Sequence, residues 1–63
     1  MSQSDRQLAG NQRRTLRAMR KRLLDMAAEW DGVDQFNAAE LERLADLAEE
    51  VAAGMVAEEG TAP

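Results

Sequence analysis

Arg13, Arg14, Arg17, Arg20, Lys21 and Arg22 place six cations in ten consecutive residues with no acid among them. A guanidinium presents a rigid fork of donors that matches phosphate oxygens two at a time, so the segment could hold an anionic ligand. Laid along a helix, it could also track a nucleic-acid backbone, with affinity that falls as salt rises. With Arg6, residues 1–22 carry seven basic residues against Asp5, a formal +6. Residues 23–63 carry Arg43 against eleven acids, a formal −10. The net charge of −4 and the absence of aromatic residues beside the cluster weigh against nucleic acid. The first reading of the cluster is therefore a surface that meets a protein partner, and nucleic acid or a nucleotide is the second.

Catalytic chemistry has little to work with. Histidine, cysteine and tyrosine are absent, which removes the usual general base, the thiol nucleophile and the phenol. Only carboxylates remain as metal ligands, and the Glu-x-x-His pattern of di-metal helical bundles cannot occur. We expect no enzyme, no cofactor and no metal site. No apolar run has the length of a membrane span and no N-terminal signal pattern is present, so a cytoplasmic location away from membranes is expected. Twelve alanines, with arginine far ahead of lysine, suggest a GC-rich bacterial or phage genome.

The elements that position these charges follow from apolar spacing. Alanine, leucine, glutamate and arginine dominate, and the one proline is the terminal Pro63, which reads as all-α. Ser4 and Gln7 have capping-box spacing, so a helix could begin at Asp5; Asn11 after Gly10 offers a later start. The expected organisation is a frayed segment over 1–10, a helical hairpin over 11–57 and a disordered tail over 58–63. Within the hairpin, helices span about 11–30 and 38–57, joined by a loop over 31–37. Leu16, Met19, Leu23, Met26 and Trp30 recur at steps of three and four, and so do Leu41, Leu44, Ala48, Val51 and Met55. These predict the seam between the helices, with Trp30 closing its loop end. Gly32 suits a left-handed turn position. Asn37 is the predicted cap of the second helix, with Glu40 completing a capping box and Phe36 stapled to Leu41. Gly54 marks either a close helix approach or early fraying.

On this seam Arg20 covers alanine with its stem. Arg14, Arg17 and Lys21 point outward on one helix, and Glu42, Asp46, Glu49 and Glu50 on the other. Ala45, Leu47, Ala52 and Gly54 widen the second helix's apolar face beyond what one neighbour needs. A chain this short is marginal alone, and without disulfides or a metal oligomerisation is the remaining support. The predicted fold is an all-α two-helix antiparallel hairpin assembling into a homo-oligomeric bundle, a dimeric four-helix bundle before a larger ring. In layout this resembles the small copy-control hairpin dimers of the Rop type; no motif carries the likeness, which implies architecture alone. The function expected is that of a small non-catalytic protein-binding regulator, adaptor or inhibitor, with binding of an anionic ligand by the arginine-rich helix as the alternative.

Overall fold

The computed structural model describes residues 4–55, and among these the chain is an all-helical hairpin of α1 (Asp5–Trp30) and α2 (Gln35–Gly54). The expected tail over 58–63 lies outside the described residues, and the second helix, expected to reach residue 57, ends at Gly54.

The early start of α1 prevails over the later one. Ser4 forms a full capping box: the Gln7 amide donates to its hydroxyl at 3.1 Å, and its own amide donates to Gln7 Oε1 at 3.2 Å. Asp5 then sits in the first turn, where the helix dipole favours an acid. Gly10 and Asn11 are helical, and Asn11 accepts a hydrogen bond from Arg14 instead of capping.

The connection is tighter than expected. Asp31 (φ −61°, ψ 125°) and Gly32 (φ 80°) fit the central positions of a type II turn. The Val33 amide closes it by donating to the Trp30 carbonyl at 2.8 Å. Glycine is the residue that takes the positive φ without strain. Asp34, not Asn37, caps α2, its carboxylate accepting from the Asn37 amide at 3.1 Å. An anionic cap complements the positive helix end, and starting there adds most of a turn of helix. Phe36 thereby moves from the staple position into the first turn of α2 and stands 71% exposed.

The seam between the helices also differs from the expected one. The shielded series on α1 runs Ala9, Arg13, Leu16, Arg20, Leu23 and Ala27, and on α2 and its C-cap Ala38, Leu41, Ala45, Ala48, Ala52 and Met55, with Gly10, Leu24, Asn37, Glu40 and Glu49 half-buried beside it. Both series keep alternating steps of three and four, so the heptad geometry holds. Its phase has turned by one residue for Met19 and Met26 on α1 and for Leu44 and Val51 on α2, all of which are exposed. Trp30 is exposed as well. Ala38, Ala45 and Ala52 lie seven residues apart, and the last two are wholly buried. A side chain of one methyl lets the backbones approach closely, as a four-residue connection requires. Gly54 ends α2 with nothing near the position of a Cβ, so it marks a helix end and not a close approach.

Candidate interaction surfaces

The new seam sorts every other side chain by its offset. Viewed end on, antiparallel helices run with opposite sense. Residues one position after a seam residue therefore project to the same side of the hairpin on both helices, and residues one position before it project to the other.

The side that follows the seam carries Arg14, Arg17, Lys21 and Leu24 from α1, with Ala39, Glu42, Asp46 and Glu49 from α2. Its two charge rows meet. Arg17 donates to both carboxylate oxygens of Glu49, from Nε at 3.2 Å and Nη2 at 3.3 Å. This corrects the expectation that Arg17 and Glu49 both point away from the partner helix. Lys21 pairs with Asp25 one turn on, at 3.7 Å. All four side chains are well exposed, so each pair contributes at most about 1 kcal/mol.

The remaining cations of the cluster diverge. Arg13 lies in the seam, where its Nη1 donates to the Met55 carbonyl at 2.7 Å, a cation at the negative end of α2. Arg20 is the next seam cation, level with the Ala45–Ala48 stretch in the register that Arg17 and Glu49 set. Its side chain is half-buried, and its buried Nε lacks a hydrogen-bond partner. Arg22 projects to the opposite side from Arg17. The six cations therefore do not converge on one pocket. Arg13, Arg14 and Arg17 each donate to an acceptor within the chain.

The side that precedes the seam is apolar. Leu8, Met19 and Met26 on α1 and Leu44, Leu47 and Val51 on α2 project there, and Trp30 joins them at the loop end. Arg22 from α1 and Glu40 from α2 are the charged members of this face. Glu40 also accepts from Arg43 at 2.6 Å; that hydrogen bond, and then the carboxylate's charge, raise the Arg43 pKa above its ordinary value. Val33 and Phe36 are open to solvent at the turn. Among the described residues no three carboxylates gather to hold a metal ion, and no helix is long and apolar enough to cross a membrane.

Of the residues expected to build the hydrophobic interior, Leu16, Leu23, Leu41 and Met55 sit on the hairpin seam. Met19, Met26, Trp30, Leu44, Leu47 and Val51 share the outward apolar face. Sequence reasoning missed the alanine stripe, whose signal was the seven-residue spacing of Ala38, Ala45 and Ala52. No protein-family model, curated protein or solved structure matches the chain.

Proposed function

We propose that this protein is a non-catalytic, protein-binding regulator or adaptor that works as a homo-oligomeric helical hairpin. One observation carries the reading: among the described residues the buried side chains are five alanines, while Leu8, Met19, Met26, Leu44, Leu47 and Val51 lie together on one open face. Full burial of a leucine or methionine is worth roughly 1.5–3 kcal/mol, and among the described residues no side chain of that size is fully buried. A hairpin built this way gains its larger apolar burial by association. Assembly through that face supplies the missing core, and it leaves the turn, with Val33 and Phe36, and the charged side open to a further protein.

The dispersal of the arginines argues against the anionic-ligand alternative. Two measurements test the reading. Sedimentation velocity at micromolar concentration should give a species larger than the 7.0 kDa chain. A folded monomer there would end the proposal. Fluorescence anisotropy with labelled nucleic acid or nucleotide at physiological salt should show no binding. If it shows binding that the combined change Arg14→Glu, Arg17→Glu, Lys21→Glu abolishes, the protein is an anion binder instead.

A further inference from the structure

We infer that the occupant of the apolar face is a second copy of this chain, stacked so that α1 of each copy lies on α2 of the other and both turns emerge at the same end. The inference rests on the oligomeric reading above and specifies its geometry.

Two hairpins can stack these faces about a two-fold axis in two principal ways. With the axis perpendicular to the helices, α1 lies on the partner's α1, α2 lies on the partner's α2, and the turns point to opposite ends. With the axis parallel to the helices, each α1 lies on the partner's α2 and the turns share an end. Every helix is antiparallel to its neighbours in both, so the helix dipoles do not choose between them.

Charge does. Helix α1 holds seven cations and three carboxylates, net +4; α2 holds Arg43 and five carboxylates, net −4. The perpendicular axis stacks like helices on each other across the two layers, whereas the parallel axis stacks opposite ones. The same choice follows from the two charged residues on the face itself. Arg22 lies midway between Met19 and Met26. A perpendicular axis level with the midpoint of Met19 and Met26 brings Arg22 onto the partner's Arg22, and Glu40 onto the partner's Leu47. A parallel axis brings Arg22 to the level of the partner's Leu44, one turn from the partner's Glu40 and within reach of it. Like charges side by side are unfavourable and opposite ones favourable, and a partly shielded interface strengthens both effects.

The chain has no cysteine, so a single introduced thiol reports one position. Val33 is 74% exposed, and a label there leaves seam and face intact. We would attach a nitroxide to Val33→Cys and measure the distance between copies by pulsed electron paramagnetic resonance, with sedimentation on the same sample. Turns at one end place the labels within about 20 Å of each other. Turns at opposite ends separate them by roughly 30 Å, from about ten residues of helix on either side of the axis at 1.5 Å each. A dimer with the short distance is the expected result. A dimer with the long distance overturns the stacking and leaves the oligomeric reading standing, as does any larger stoichiometry. A monomer removes both.

Discussion

Leu44→Ala would measure how much of the assembly rests on the outward face. Leu44 is 49% exposed in the hairpin, so about half of its apolar surface remains to be covered. Complete burial of leucine is worth roughly 1.5–3 kcal/mol, so the uncovered half corresponds to about 1 kcal/mol. A two-fold interface uses the residue twice, which brings the loss to about 2 kcal/mol per dimer and weakens association roughly 30-fold. Sedimentation equilibrium over a concentration series reads that change directly. Thermal melting by circular dichroism at several concentrations provides a second reading, because the midpoint of an associating protein rises with concentration. Ala39→Ser, on the charged side, serves as the control and should leave the dissociation constant unchanged. If Leu44→Ala lowers the midpoint equally at all concentrations and leaves the dissociation constant unaltered, Leu44 acts only within the hairpin. The outward face would then not be the interface.

Two further changes probe the hairpin itself. Asp34→Ala removes the carboxylate that caps α2 and should cost about 1 kcal/mol, seen as a drop of several degrees in the melting midpoint, while Asn37→Ala should cost only a few tenths. Equal losses would return the cap to Asn37. Arg20→Met keeps the apolar stem and removes the buried, unpartnered Nε, so the midpoint should rise, by an amount of order 1 kcal/mol. A fall would show that the guanidinium contributes a favourable interaction in the assembled protein.

The sequence disclosed both helices and the turn at Gly32, because each depends on contacts a few residues apart; the Ser4 capping box was visible as spacing, but the frayed segment expected over 1–10 gives way to helix from Asp5. It misplaced the seam for a physical reason. Periodicity was read from the largest apolar residues, and those mark the face with the most to bury, not the face nearest in the chain. A four-residue connection holds the helices close, and at that distance alanine packs where methionine and leucine do not. Arg13 and Arg20 added to the error, since cations are placed beside a seam before they are placed in it, although their stems can line it. The cap of α2 was misassigned because Asp34 and Asn37 both suit the role at neighbouring positions. Only the tight turn, which leaves Asp34 directly ahead of the helix, decides between them. The excess width of the α2 apolar face was legible from composition, and it is the feature on which the oligomeric reading now stands.

The alanine stripe has a consequence for how the two helices keep their alignment. Ala38, Ala45 and Ala52 offer nearly the same small surface at each heptad, so this stripe adds little interlocking to that of Leu16, Leu23 and Leu41. The polar contacts that add resistance to sliding lie toward the open end, Arg13 on the Met55 carbonyl and Arg17 on Glu49, with the Gly32 turn fixing the other end. Translational order along the hairpin thus draws on a hinge and two polar latches besides the seam leucines. Because one latch is solvent-exposed, added salt loosens the alignment without removing any apolar contact.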